Sequence, residues 1–245
     1  MEQTPSDKLQ NPAPALRRRL NIALVDKDQE HLDLSGYYTS HLTSTNEYFK
    51  GCNKIITLNL NGWDTTNVTD TERMFHNCTS LCTLNLDGWK FSNVTTMWAM
   101  FSNCPSLQKI DAANWDVSNV TNMQRLFADC AALQTLDIKN WNVSKVKTML
   151  GMFSSCANIA TLDLSGWDVS KITLLGEMFA DCSSLATLNL SGWHIPAGSC
   201  IQAPDMFRGC TALKEVIMAG CDDHTIDFIA ARLAEASLRG VDILF

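Results

Sequence analysis

The chain has 245 residues, of which 46% are apolar and 18% charged, with a net charge of −7. This is enough apolar material for a sizeable core, and the acidic balance argues against nucleic acid, whose phosphates call for a basic surface. No apolar stretch approaches the ~20 residues needed to cross a bilayer, so membrane insertion is not expected.

Residues 1–13 carry Pro, Gln, Asn and Ser with little apolar content and read as a flexible tail. The opening MEQTPSDKLQNPAPALRRRL has no apolar segment of the kind a secretory signal contains. On this reading a full-length chain stays in the cytoplasm; otherwise a leader has been removed. Arg17-Arg18-Arg19 is the only basic run, too short to change the charge argument. Residues 14–31 are expected to form an N-terminal cap, with an amphipathic helix over Pro14–Val25.

From Leu32 onward the sequence repeats itself. TLNLNGWDTTNVTDTERMFHNCTSL and TLNLDGWKFSNVTTMWAMFSNCPSL align at an offset of 26 residues. The Leu-x-Leu position recurs as Leu32, Leu58, Leu84, Ile110, Leu136, Leu162 and Leu188. Five residues on stands an aromatic: Tyr37, Trp63, Trp89, Trp115, Trp141, Trp167 and Trp193. Then follow Phe49, Phe75, Phe101, Phe127, Phe153, Phe179 and, displaced by a two-residue insertion, Phe207. A cysteine comes three residues after each Phe. Such fixed spacing marks stacked ladders in one shared core, because a single repeat of this length cannot bury its own apolar face.

Within a repeat, Leu58 and Leu60 alternate with Thr57, Asn59 and Asn61, the two-residue period of a strand. The residue before the aromatic is always Gly or Asn, which points to a left-handed turn closing each strand. The segment MxxMFxxCxxL spaces apolar residues at three and four and suggests short helical turns on the opposite wall. The expected fold is therefore an α/β solenoid of leucine-rich-repeat type. It is read as a right-handed superhelix with one parallel β-sheet and seven repeats over residues 32–214. Residues 215–245 complete it as a C-terminal cap: a strand at Val216–Met218, a helix over Thr225–Leu238 ending before Gly240, and a last strand at Val241–Phe245.

The stretch LDLSGWDVSKITLLGEMF, from Leu162 to Phe179, and its sisters with the NVTxM element resemble the BspA-like leucine-rich repeats of bacterial and protist surface proteins. The resemblance spans about residues 32–220. It implies surface exposure or secretion, and adhesion to host proteins or other cells. This chain differs from that pattern in showing no export signal or anchoring segment.

Little in the sequence carries chemistry. The ladder cysteines read as buried thiols acting as small apolar fillers; Cys200 and Cys221 lie near one another in the stack, so that a bridge and two free thiols both stay open. Cys221-Asp222-Asp223-His224 is better explained as a helix start with an Asp cap than as a metal site, which needs three or four convergent ligands. The sequons at Asn67, Asn77, Asn93, Asn119 and Asn142 arise from the repeat itself. No phosphate loop, HExxH, GxSxG or Ser/His/Asp set is present, so neither catalysis nor a cofactor is expected.

The exposed strand face is the candidate binding surface. Lys109, Asp111, Thr135, Asp137, Lys139, Thr161 and Asp163 form its centre, with Asp111, Asp137 and Asp163 stacked one repeat apart. The reading is a non-enzymatic protein-interaction or adhesion module with an unidentified protein partner. The alternative is an intracellular structural scaffold whose thiols stay reduced. Calcium held by the Asp row, and ice binding by the Thr rows, are weaker readings of the same face. A monomer with weak end-to-end association is expected.

Overall fold

The computed structural model describes residues 19–245. The expected tail over 1–13 and the first part of the expected cap helix lie outside the described residues. Each repeat forms one rung of a parallel β-solenoid of about eight rungs. The strands are β1 (His31–Asp33), β2 (Thr57–Asn59), β3 (Thr83–Asn85), β4 (Thr161–Asp163), β5 (Thr187–Asn189), β6 (Glu215–Ile217) and β7 (Asp242–Leu244). All pairs are parallel and in repeat register, as in Leu32↔Leu58↔Leu84 and Leu162↔Leu188↔Val216. The capping helix α1 (Asp223–Glu235) starts at Asp222, whose side chain accepts from the Thr225 N–H, and packs Ile229 and Leu233 inward. β7 then closes the end by pairing with β6.

Before the first strand, Arg19 bridges to Tyr38 and Ile22–Leu24 makes a single 3₁₀ turn. Within the described part of Pro14–Val25 there is thus no α-helix: pairing onto the first rung takes up the backbone groups that a helix would use internally.

The core is the set of ladders that the repeat spells out. Phe49 through Phe207 stack with ring centroids 5.3–6.0 Å apart and nearly parallel planes. Every one of these rings is fully buried. Trp63, Trp89, Trp141, Trp167 and Trp193 donate Nε1–H to a carbonyl of the preceding rung at 2.9–3.2 Å, which satisfies the one polar group that burying an indole would orphan. The cysteines do the same more weakly. Cys78, Cys104, Cys130, Cys156, Cys182 and Cys210 each point Sγ at a Phe carbonyl one rung back, at 2.9–3.2 Å.

The wall opposite the strands corrects the expectation of helical turns. Thr45, Glu47, Phe49 and Gly51 donate their N–H groups to Asp70, Glu72, Met74 and His76 of the next rung, at 2.8–3.0 Å. The residues between them, Tyr48, Lys50 and Cys52, donate back to Thr45, Glu47 and Phe49. Half of the N–H groups thus run along the stack and half close overlapping tight turns. A helix would keep every N–H inside its own segment and leave no bonds for the neighbouring rung. Glu47 and Gly51 take left-handed φ values of 57° and 72°, and Arg73 and Asn77 repeat this at 51° and 63°. The ~1–2 kcal/mol that an L-residue loses in this region is offset by the bonds gained between rungs, at ~1 kcal/mol each. A chain of bridges, Ser44↔Asp70↔Thr96↔Asn122↔Thr148↔Leu174↔Gln202, continues this wall without a break.

The strand side is not continuous, which corrects the expectation of one sheet. β1–β3 and β4–β7 form separate sheets, and residues 109–111 and 135–137 pair with neither.

Candidate functional site

Rungs 4 and 5, which begin at Ile110 and Leu136, depart from the repeat in three ways. Asn114 and Asn140 stand where Gly62, Gly88, Gly166 and Gly192 stand elsewhere. Ala112 replaces the second strand leucine. In the rung before, Phe91 occupies the place of Thr65, Val117, Val143 and Val169.

The structure shows what each departure does. The four glycines take φ of 74–83°, whereas Asn114 and Asn140 do not enter the left-handed region. The expected left-handed turn thus fails at these two positions, and at Gly36 as well. A side chain makes that region costly, and asparagine enters it only where the local bonds favour it. In regular rungs the turn lets the glycine N–H reach the next rung, as from Gly62 to Asp87 at 3.1 Å and from Gly166 to Ser191 at 2.8 Å. Among the described residues Gly36 makes no such bond, yet β1 still pairs with β2, so losing the turn removes only the turn-side bond.

Between rungs 3 and 4 changes in side-chain volume act as well. The Phe91 ring sits 4.2 Å from that of Trp115 and is fully buried. Trp115 is displaced and half-buried, and among the described residues it makes no counterpart of the Trp89–Leu60 bond. Ala112 meanwhile leaves Leu86 without the neighbour that Leu60 and Leu164 have. The carbon atoms removed at Ala112 and added at Phe91 roughly cancel in number, but they sit at different positions of the repeat.

The result is a cleft of about 620 Å³ on the strand face between rungs 3 and 4. Leu84, Leu86, Trp89, Ile110 and Trp115 supply its apolar surface, while Asp87, Lys90, Lys109 and Asp111 stand at its rim. Leu84 and Leu86 are half-buried, whereas their counterparts Leu58 and Leu60 are 2% and 0% exposed. Among the described residues, the Leu86 and Gly88 N–H groups make none of the inter-rung bonds that Leu60 and Gly62 make. A second, smaller cleft of about 380 Å³ lies between rungs 5 and 6, lined by Lys139, Asn140, Trp141, Ser165 and Asp168.

The residues singled out from sequence fall around this region. Lys109 and Asp111 line the main cleft, and Lys139 the smaller one. Thr135 and Asp137 are exposed on the unpaired rung between the two clefts, and Thr161 opens β4. Lys139 pairs with Asp163 at 3.2 Å. Partial burial works to raise the Asp163 carboxyl, but bonds from Ser165 and Lys139 outweigh it and hold Asp163 below the usual carboxylate range.

The Asp/Asn row has a structural task as well. Asp33, Asn59, Asn85, Asp163 and Asn189 each accept the N–H two residues ahead, at 2.9–3.1 Å, and so shape the turn after the strand. Asp111 and Asp137 make no such bond among the described residues, in keeping with their altered turns.

The apolar part of the site was missed from sequence, because Leu84, Leu86 and Trp115 occupy ladder positions that read as buried core. The available signal was the set of breaks in the repeat at Phe91, Ala112, Asn114 and Asn140.

Other candidate groups are accounted for locally. Asp222 caps α1 and lies 2.5 Å from His194; the Thr225 amide and hydroxyl hold its carboxyl at about 2. Cys200 is an exposed free thiol and Cys221 a half-buried one. Among the described residues no group of three or more His, Cys, Asp or Glu side chains could hold a metal ion, and no helix is long and apolar enough to cross a membrane.

A leucine-rich repeat protein of T. pallidum is similar at 13% identity, over 84% of this chain and 84% of that one, with a TM-score of 0.39. An internalin C2 from Listeria monocytogenes is similar at 17% identity, over 87% of this chain and 80% of that one, with a TM-score of 0.38. A leucine-rich repeat protein from Bacteroides ovatus is 17% identical over 73% of this chain and 59% of that one, with a TM-score of 0.32. None of the curated proteins matches the chain. The family model described as "Mycoplasma protein of unknown function, DUF285" matches residues 23–110 and 106–219, most of the solenoid, and the chain belongs to that family.

Proposed function

We propose that this protein is a non-enzymatic protein-binding module that engages its partner through the strand face between rungs 3 and 6. One observation carries this reading: between rungs 3 and 4 the strand side opens into a cleft of about 620 Å³, lined by leucine and tryptophan side chains and by charges of both signs. A stacked solenoid has no need of this opening, since the rungs on either side close with the same repeat. Its volume lies within the ~300–1,000 Å³ usual for ligand sites. Solenoids of this kind present long rigid surfaces suited to proteins. The resemblance to BspA-like repeats supports an adhesion role at the cell surface or after secretion.

The test is binding by charge-altered strand faces. Purified wild-type protein and a Lys109→Glu, Asp111→Lys, Lys139→Glu variant are compared against the same extract by crosslinking and mass spectrometry. Partners crosslinked at the strand face of the wild type and lost in the variant support the reading. Crosslinks that fall elsewhere and survive the substitutions overturn it.

A second reading, an intracellular scaffold with little ligand specificity, is favoured by the cysteine ladder, whose buried thiols are free and bonded to Phe carbonyls. A thiol count on protein taken from its native source separates the two: a bridge between Cys200 and Cys221 speaks for an oxidising location, and ten free thiols speak for a reducing one.

A further inference from the structure

We infer that the cleft between rungs 3 and 4 recognises an extended peptide segment of the partner, held by backbone pairing along the free edge of β3. This deepens the reading above and rests on it.

The occupant follows from what the edge lacks. In the regular stack, Leu60 N–H reaches Asn85 O at 2.9 Å and Gly62 N–H reaches Asp87 O at 3.1 Å. One rung on, Leu86 and Gly88 present the same two donors toward the cleft with no acceptor among the described residues. Donors at alternate residues, facing one way, match the carbonyls of an extended chain; a folded surface or a compact ligand seldom offers that spacing. The turn needed for pairing is already formed, since Gly88 has φ 83°. Below the edge, Leu84, Leu86 and Trp115 are half-buried and open to the cleft, ready to receive alternate apolar side chains. The opposite wall stays bonded at this interface, as from Phe101 to Leu126 at 3.0 Å, so the two rungs part on the strand side alone.

The chain itself supplies the probe. Residues 187–194, TLNLSGWH, form β5 and the turn after it, and in the stack they pair with a TLDLSGW rung through Leu164 N–H to Asn189 O at 2.8 Å. An acetylated and amidated peptide of this sequence is added to the full protein, and amide exchange is followed residue by residue. In parallel pairing, one residue of the added strand both donates to and accepts from the β3 edge, and here it is the Asn. The expected result is exchange slowed about tenfold or more at Leu86 and Gly88 by the plain peptide, and loss of that protection when the Asn amide is N-methylated. A Phe91→Val, Ala112→Leu variant, which restores the regular repeat at these two buried positions and lets rung 4 close onto β3, should not bind.

No protection at millimolar peptide overturns the inference. Equal binding by the N-methylated peptide overturns it too, since the contact would then be through side chains alone. If the peptide fails while the strand-face charge variants still lose the partner, the protein-binding reading stands and only strand pairing falls.

Discussion

The double substitution Phe91→Val, Ala112→Leu should repair the seam, and its energetics can be worked from the structure. Both residues are fully buried, at 1% exposure each. Losing the excess carbons of Phe91 removes ~2–3 kcal/mol of burial, and gaining those of leucine at position 112 returns about the same. What remains is the pairing that closure allows. Trp115 Nε1–H can reach Leu86 O, as Trp89 reaches Leu60 O at 3.2 Å. Leu86 and Gly88 can reach rung 4 as Leu60 and Gly62 reach rung 3. Three such bonds at ~1 kcal/mol each give a net stabilisation of about 3 kcal/mol, before counting the fuller burial of Leu84 and Leu86. Urea unfolding should therefore show a higher midpoint, and tryptophan emission should shift to the blue as Trp115 leaves water. Amide exchange at Leu86 and Gly88 should slow in the same variant. A protein destabilised by more than ~1 kcal/mol, with those two amides exchanging as before, would refute the assignment of the seam to these residues.

Further outcomes follow from the ladders. Trp141→Phe removes the Nε1–H that Ala112 O receives at 2.9 Å and leaves that carbonyl only the Trp115 N–H at 3.1 Å, so a loss of about 1 kcal/mol is expected in chemical denaturation. Asn93 donates Nδ2–H to Thr66 O at 2.7 Å, and Asn93→Asp, which sets an acceptor against an acceptor, should lower stability by about 1 kcal/mol at neutral pH and by less in acid. Burial pushes the Cys104, Cys156 and Cys210 thiols up to about 12 from a usual value of 9.0. Their folded values are raised, so the unfolded chain holds fewer protons above pH 9, and stability falls from there towards pH 12. The three together contribute about 4 kcal/mol per pH unit in that window, which predicts cooperative alkaline unfolding in a pH titration followed by circular dichroism. The exposed Cys200 should react with a thiol reagent well before the ladder does.

Much of this architecture can be read from the chain. The 26-residue offset, the Trp, Phe and Cys columns and the alternating strand residues each report a stacked core directly, because a ladder position tolerates few side chains. The wall at 45–52 and its copies could not be read the same way. Apolar spacings of three and four suit a helix and also suit overlapping tight turns, and choosing between them depends on whether the next rung is there to accept half of the N–H groups. One column did hold the answer: Gly51, Asn77, Asn103, Asp129, Ser155, Asp181 and Gly209 are all left-handed, and six of the seven are Gly, Asn or Asp. The companion column, with Glu47, Arg73, Ala99, Arg125 and Glu177, carries that mark only at Gly151 and Asp205.

For the site, the polar rim at Lys109 and Asp111 was legible as exposed strand-face positions. The apolar floor was not, since Leu84, Leu86 and Trp115 are core residues by pattern and are uncovered only by the misfit of Phe91 and Ala112. Departures from a repeat therefore carry more functional information in this chain than the repeat does.

The most direct measurement is amide hydrogen exchange resolved along the stack. Slow exchange is expected at Leu60, Leu164 and Leu190, whose N–H groups cross to the next rung at 2.8–2.9 Å. Phe75, Phe101, Phe127 and Phe153 on the other wall, bonded at 2.9–3.0 Å, should be equally protected. Leu86, Ala112 and Ile138 should exchange much faster than their counterparts, marking an opened strand side on a closed solenoid. Uniform protection of all six strand-side amides would contradict the opened face and, with it, the binding site.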